Sequence, residues 1–425
     1  MPKLFGTSGI RTTVDKLTED FVTELGKSLG SYSKDKKIAI GRDTRKSGPQ
    51  LEYYLINGIL STGKDIIKLG IATTPTVGMA AQDFGTAVMI TASHNPPEYN
   101  GFKFWYKDGA YRPKQEDEIE NIFFSRKFKS SDTKGKIDID NYTEKHKERI
   151  LKKVGNAENV NVLLDCAGGS GSVITPDLLK EMGCNVIALN TNQDGEFPHK
   201  LEPTAENLEE ICKEVKSRNV DIGLVHDGDA DRTAAIDKNG RLIDWDSFLA
   251  VLAYGKNKVV TTVDASMRIE EVCKKVIRVP VGDVAVSEGI RKEKADFGGE
   301  PSGAYIFPEV HLFPDGPLTA AIVAKLISEN KFYEILEKIP SYPMERLKIP
   351  YSDGMKDSIM KKLKNIISEN FTNIDGIRIS RENCWVLIRP SGTEPFMRIT
   401  AEGKDNKSLS SIVEDAKNLL KEAMG

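Results

Sequence analysis

"VNVLLDCAGGSGSVITPDLLKEMGCNVIALN", Val160–Asn190, reads as an apolar strand, a glycine- and serine-rich turn, a helix and a second apolar strand. Short apolar runs bounded by turn residues are strand signals, and a helix between two of them implies a parallel pair joined by a crossover. The same order appears earlier in "KKIAIGRDTRKSGPQLEYYLINGIL…DIIKLG", from Lys36, and later in "NKVVTTVDASMRIEEVCKKVIRVPV", from Asn257. Strand, turn and helix in this order are common singly; three occurrences predict three related α/β domains. A Lys/Asp-rich stretch, "SRKFKSSDTKGKIDIDNYTEKHKERILKKVG", separates the first unit from the second, and "KIPSYPMERLKIP", with Pro340, Pro343 and Pro350, reads as a linker and hinge before a different, smaller α+β tail. The expected domains are residues 1–145, 146–240, 241–342 and 343–425.

Composition bounds the function. The chain has 425 residues, too many for one core, with 39% hydrophobic and 29% charged residues and a formal net charge of −3. That balance gives no overall attraction to nucleic acid or to an anionic membrane. No apolar run is long enough to span a bilayer, and "MPKLFGTSGIRTT" lacks the apolar core of a signal peptide. The five cysteines are scattered, with no CxxC pair, which fits a reduced, cytoplasmic chain without a zinc site.

Four loops carry unusual chemistry. "TASHNPPEYNGFKFW", Thr91–Trp105, sets Ser93 in a rigid loop, which taken alone is also an ordinary surface turn. "HDGDADRTAAID" alternates Asp227, Asp229 and Asp231 after an apolar strand. Three carboxylates so close repel unless a cation gathers them, and hard oxygen ligands suit Mg²⁺ or Ca²⁺. An EF-hand loop would need Gly and Glu where Arg232 and Lys238 stand; a solvated acidic turn is the other reading. Arg232 beside the acids suits an anionic substrate. "FGGEPSGAYIFPE" holds Glu300 and Ser302, a carboxylate and a hydroxyl placed to bond neighbouring hydroxyls of a sugar, or simply a tight turn. "RPSGTEPFMRIT" brackets Ser391, Gly392 and Thr393 with Arg389 and Arg398, which makes a phosphate cradle or a surface hairpin. "AGGSGS", Ala167–Ser172, lacks the last glycine of a dinucleotide loop and reads as the strand-to-helix turn of its repeat.

One constellation uses all four loops. A phosphorylated serine donates its phosphate, a metal on the Asp triplet neutralises charge, the Glu-Ser pair holds sugar hydroxyls, and the arginine loop holds a second phosphate. Here the chain resembles the α-D-phosphohexomutase family of phosphoglucosamine mutases, phosphomannomutases and phosphoglucomutases. The resemblance runs through "FGTSGIR", "GRDTR", "TASHNPPEYNGFK", "DGDADR", "GGEPSG" and "RPSGTEPFMR" in order along the whole chain. It implies four domains around a central cleft, three related α/β domains and a smaller C-terminal domain of the TATA-binding-protein-like type. It further implies that Ser93 is the phosphoserine, that Mg²⁺ is held by Asp227, Asp229, Asp231 and that phosphate, and that a hexose 1,6-bisphosphate is intermediate and activator. Arg11 and Lys103 would surround the reacting phosphate. Glu300, Ser302 and Gly282 would hold the sugar, and Arg389, Ser391, Gly392, Thr393 and Arg398 the idle phosphate.

Two departures from the family stand out. Where many members carry a histidine after "SG" as candidate base, this chain has Ala304, so His311 or Lys103 is expected to serve. Where many carry a lysine before "VGD", it has Pro280. The wording of "GGEPSG" and "HDGDADR" is most similar to archaeal phosphoglucosamine mutases, with phosphomannomutase or phosphoglucomutase activity as the alternative. A metal-dependent sugar phosphatase could use the same serine and acids, but it would not need the arginine cradle; a sugar-phosphate sensor would need the cradle alone. The partners expected are small sugar phosphates, with no nucleic acid or membrane, and the chain is expected as a monomer or homodimer.

Overall fold

The computed structural model describes residues 3–6, 9–352, 354–391 and 395–424. Each of the three sequence repeats folds as a parallel strand pair with a helix between. Lys37–Arg42 pairs in parallel with Asp65–Ile71, Asn161–Asp165 with Asn185–Leu189, and Lys258–Thr262 with Lys275–Val279. The helices Gly48–Leu60, Thr175–Glu181 and Arg268–Val272 make the crossovers. Each pair is built into its own sheet. The first sheet has seven strands, extended by antiparallel Tyr99–Tyr106 against Thr86–Ile90; the second and third have four each.

The tail is a five-stranded antiparallel sheet carrying the helices Lys356–Ile366 and Asn406–Met424. Its apolar face, with Val386, Ile388 and Ile399, is closed by Ile359, Leu363, Ile412 and Val413 of those helices.

Two stretches expected as connectors are structured. Within the Lys/Asp-rich stretch, Ile137–Ile139 forms the edge strand of the first sheet and Tyr142–Val154 a helix. Half of the proline-rich linker is a strand as well: Met344–Pro350 pairs along its whole length with Phe396–Gly403. Pro350 ends an edge strand, where a missing N–H costs no ladder bond. The connector between helix and strand therefore shrinks to residues 339–343.

The second and third units share one core. Val162, Leu164 and Leu224 from one sheet and Val259 and Phe297 from the other pack with Phe248 and Leu318 into a continuous cluster. The helix Gly316–Ser328 lies against helices and a strand of the second unit. The tail docks on the third unit through a buried carboxylate: Glu402 accepts from Ser266 Oγ, from Met267 N–H at 2.7 Å and from Trp385 Nε1 at 2.7 Å.

The functional loops follow from this topology. Thr86–Ile90 runs into Ser93, Ile222–His226 into Asp227, and Phe297–Gly299 into Glu300. All three leave the carboxyl ends of strands in α/β units, where open sheets of this kind bind ligands. No described helix is long and apolar enough to cross a membrane.

Candidate active site

Ser93 sits 2% exposed with φ of 52°, a left-handed backbone that a non-glycine residue adopts only when its surroundings impose it. The imposing residue is Arg45. Buried to 1% exposure, its guanidinium donates to the carbonyls of Ser93 at 2.8 Å, Asn95 at 2.6 Å, Pro96 at 2.7 Å and Tyr99 at 3.0 Å. Asp43, also buried, anchors the Arg45 Nε at 3.0 Å and accepts from Thr91 Oγ1 at 2.6 Å. The Thr91 hydroxyl in turn accepts from the Ser93 N–H at 2.8 Å. Phe197, from the second unit, lies 5.3 Å from the Arg45 guanidinium. "GRDTR" is thus the clamp of the serine loop, a role no motif announces.

The Ser93 hydroxyl donates to Asp227 Oδ2 at 2.8 Å. Asp227, Asp229 and Asp231 are buried, and their nearest carboxylate oxygens lie within 4.8 Å of one another. Gly228 makes that approach possible, since a Cβ there would stand 2.8 Å from the Ser93 carbonyl oxygen. The crowding shows in the ionisation. Burial, then Asp231 and Asp229, push the Asp227 carboxyl well above its usual range. Asp229 is held below its usual range although burial opposes this, because Lys103 outweighs it. Lys103 Nζ donates to Asp229 Oδ2 at 2.7 Å and to Asp231 Oδ2 at 2.6 Å. Thr74 Oγ1 donates to Asp229 Oδ2 at 2.5 Å.

These bonds use one oxygen of each carboxylate. Asp229 Oδ1 and Asp231 Oδ1 are buried with no hydrogen-bond partner among the described residues. Orphaned carboxylate oxygens next to Asp227 fit a hard divalent cation. The acidic triplet is therefore a metal-binding arrangement, with Lys103 compensating the charge on its outer side.

Beside the serine loop, at His94, a cavity of about 560 Å³ opens among the three units. Arg11, His94 and Arg232 line one side and Asp283, Glu300 and Ser302 another. Arg11 is tied to the serine loop through Asn95 Oδ1 at 2.7 Å. Burial lowers its pKa, against Asp229 and Asp231. Glu300 is pushed up to about 7 by burial and then by Asp283, with Arg232 opposing. Gly282, with φ of 131°, gives its N–H to Glu300 Oε1 at 2.9 Å. His94 Nδ1 is 3.3 Å from Ser93 Oγ, and burial with Arg232 and Arg11 keeps its pKa down at about 3.

The structure corrects the expectation for His311. Its ring is 2% exposed, stacked on Phe313 at 3.9 Å, and its Nε2 shares Asp315 Oδ2 with His146 at 2.7 and 2.8 Å. It belongs to a buried knot that joins the units and does not line the cavity, so it cannot take a proton from a substrate there. Lys103 is corrected as a base for a different reason: burial works against its charge, but Asp229 and Asp231 outweigh burial and hold it as ammonium.

In the tail loop the two arginines are close neighbours. Arg389 and Arg398 stand directly opposite each other in the antiparallel register, a like-charge pairing that is unfavourable without an anion between. Arg398 Nη2 contacts Ser391 Oγ at 3.3 Å, while its Nε is buried with no partner among the described residues. Gly392 and Thr393 lie outside the described residues. Arg389, Ser391 and Arg398 do not line the cavity.

Comparison with known proteins agrees with this geometry. Models of four domains described as phosphoglucomutase/phosphomannomutase match: α/β/α domain I at residues 2–130, domain II at 140–240, domain III at 246–342 and the C-terminal domain at 347–419. A phosphoglucosamine mutase of Methanocaldococcus jannaschii is 42% identical, over 100% of this chain and 99% of its own. A phosphoglucomutase/phosphomannomutase family protein of Burkholderia thailandensis superposes with a TM-score of 0.89 at 24% identity, covering 99% of this chain and 97% of the other. An N-acetylphosphoglucosamine mutase of Aspergillus fumigatus, solved with GlcNAc-6P and magnesium, has the same fold with a TM-score of 0.61 at 15% identity, covering 100% and 96%.

Removing the clamp isolates its role. Arg45→Ala is expected to slow phosphorylation of Ser93 by a hexose 1,6-bisphosphate about 100-fold, since a displacement near 1 Å costs that much in transfer. Added guanidinium ion is expected to restore part of the rate, followed by intact mass. Wild-type phosphorylation in the variant would contradict the clamp.

Proposed function

The chain belongs to the phosphoglucomutase/phosphomannomutase family, and from that premise we propose that it is a phosphoglucosamine mutase acting through a phosphoserine at Ser93. The enzyme is a phosphohexomutase, an isomerase that moves phosphate between the 6- and 1-positions of a hexose. The observation that supports the assignment of roles is the Ser93 hydroxyl on Asp227, next to His94, which shares a cavity with Glu300 and Ser302. The choice of glucosamine is supported by the relative from Methanocaldococcus jannaschii, a phosphoglucosamine mutase matched over the full chain.

Asp227, Asp229 and Asp231, with the phosphate on Ser93, would hold Mg²⁺. When bound, that ion supplies positive charge against the oxygens of the phosphoryl group in transfer. The chain's own groups do the rest. Arg45 aims Ser93, and Arg11, Lys103 and Arg232 offset the charge of two phosphates. Glu300 and Ser302 hold adjacent sugar hydroxyls. In the first half-reaction the P–O bond to Ser93 breaks, one forms to the sugar hydroxyl, and the proton of that hydroxyl ends on the Ser93 oxygen, giving the 1,6-bisphosphate. After the sugar turns over, Ser93 takes back the other phosphate. Glu300 and Ser302 serve both poses, because they grip neighbouring hydroxyls at the middle of the ring. Arg389, Ser391, Gly392, Thr393 and Arg398 would hold the idle phosphate. Arg389, Ser391 and Arg398 stand off the cavity wall, so the short connector at 339–343 is where the tail would turn to bring this loop in.

Two measurements follow. With glucosamine 6-phosphate, Mg²⁺ and a trace of the bisphosphate, glucosamine 1-phosphate is expected with little free phosphate, faster than the products of glucose or mannose 6-phosphate. Release of inorganic phosphate at the rate of substrate loss would make the enzyme a phosphatase and contradict the proposal. Glu300 accepts hydroxyl bonds best as a carboxylate, and its carboxyl is held at about 7. KM for the sugar phosphate is therefore expected to rise as pH falls through that value, and Glu300→Gln to flatten the profile. A KM independent of pH between 6 and 8 in the wild type would remove Glu300 from the sugar.

A further inference from the structure

Glucosamine, glucose and mannose phosphates differ at carbon 2, which bears an amine in the first and a hydroxyl in the others. Ring connectivity puts that carbon between the reacting carbon 1 and the 3-hydroxyl. With carbon 1 at Ser93 and the 3-hydroxyl on Glu300, the carbon 2 substituent faces whatever lies between the metal triplet and Glu300.

The structure puts Asp283 there. The bond from Gly282 N–H to Glu300 Oε1, 2.9 Å long, ties the turn before the helix Asp283–Glu293 to the sugar-binding carboxylate. The next residue, Asp283, is partly buried and lines the same cavity as Glu300 and Arg11. Lys103, Asp231 and Arg232 act on its charge, and Arg232 lines the same cavity. Glu300 is 9% exposed, and its Oε2 has no hydrogen-bond partner among the described residues. Two carboxylates on one cavity wall repel, and after burial Asp283 is part of what holds the Glu300 carboxyl high, with Arg232 opposing. A cation between them relieves that repulsion; a neutral hydroxyl does not. An amine on carbon 2 is largely protonated near neutral pH.

We propose that Asp283 selects the substrate at carbon 2, forming an ion pair with the ammonium of a 2-amino-2-deoxyhexose phosphate when carbon 1 faces Ser93. This rests on the glucosamine reading above. A neutral hexose phosphate is bound through the same hydroxyls and phosphates but leaves the two carboxylates facing each other, so it is the poorer substrate.

The test compares the wild type with Asp283→Asn and Asp283→Glu on glucosamine, glucose and mannose 6-phosphates, with thermal unfolding recorded for each. Loss of one charged hydrogen bond predicts that the glucosamine-to-glucose ratio of kcat/KM falls about 10- to 100-fold in Asp283→Asn, chiefly through KM for glucosamine. Asp283→Glu is expected to recover part of the ratio. A loss equal for all three sugars, with the ratio unmoved, would overturn the proposal and make Asp283 a group acting on the reacting hydroxyl. Should the Asn variant fail to fold, the wild type carries the test. It is expected to favour glucosamine 6-phosphate over 2-deoxyglucose 6-phosphate at least about tenfold, and equal kcat/KM would overturn the ion pair. A wild type that turns over glucose or mannose phosphate but no glucosamine phosphate would instead remove the glucosamine reading, a result that leaves the mutase chemistry in place.

Discussion

Three carboxylates crowded at the end of one strand are the constraint on which the site depends. Asp227, Asp229 and Asp231 are buried together, and burial followed by their mutual repulsion raises the first well above its usual range. Such a cluster persists only if neighbours compensate it. Lys103 compensates from one side, bridging Asp229 and Asp231. The two orphaned oxygens leave the other side for a divalent cation. Arg11 and Arg232 add a positive field that suits the phosphates brought against the same point. Each cation of the cleft thus has a reason that traces back to the triplet.

The fold delivers those groups by repetition. One strand-turn-helix plan, used three times, brings three loops off strand carboxyl ends toward one another, and the shared core of the second and third units fixes the Asp227–Asp231 loop relative to the Glu300 loop. Bringing loops so close costs local strain. Ser93 and Ala230 are both left-handed, with φ of 52° and 53°. At Ser93 the Asp43, Arg45 and Thr91 network holds the strained residue in place. The serine hydroxyl is therefore held in one place by its surroundings.

Much of this was legible in the residues. Apolar runs of strand length marked the repeats, and alternating aspartates with bracketed arginines marked the chemistry, because both depend on local pattern. What escaped depends on tertiary partners. The clamp by Arg45 involves carbonyls of residues about fifty positions away, and carbonyls leave no trace in sequence. His311 read as a candidate base because its type and distance from "GGEPSG" allowed it; only packing against Phe313 and Asp315 shows it as part of the core. Met344–Pro350 read as linker from its prolines, and its partner strand, some fifty residues on, makes it sheet. Asp283 stood in the sequence only as the last residue of "VGD", with no role attached, and acquires meaning from the neighbouring Glu300.

The central claim is that phosphate passes from Ser93 to the sugar and is retained through the cycle. Enzyme labelled with radioactive phosphate on Ser93, freed of excess label and mixed with unlabelled glucosamine 6-phosphate and Mg²⁺, tests it in one turnover. The account predicts that label leaves the protein and appears in glucosamine 1,6-bisphosphate and then in the monophosphates, with Ser93 phosphorylated afresh by unlabelled phosphate. Label that stays on the protein while 1-phosphate accumulates, or that appears as inorganic phosphate, would contradict it.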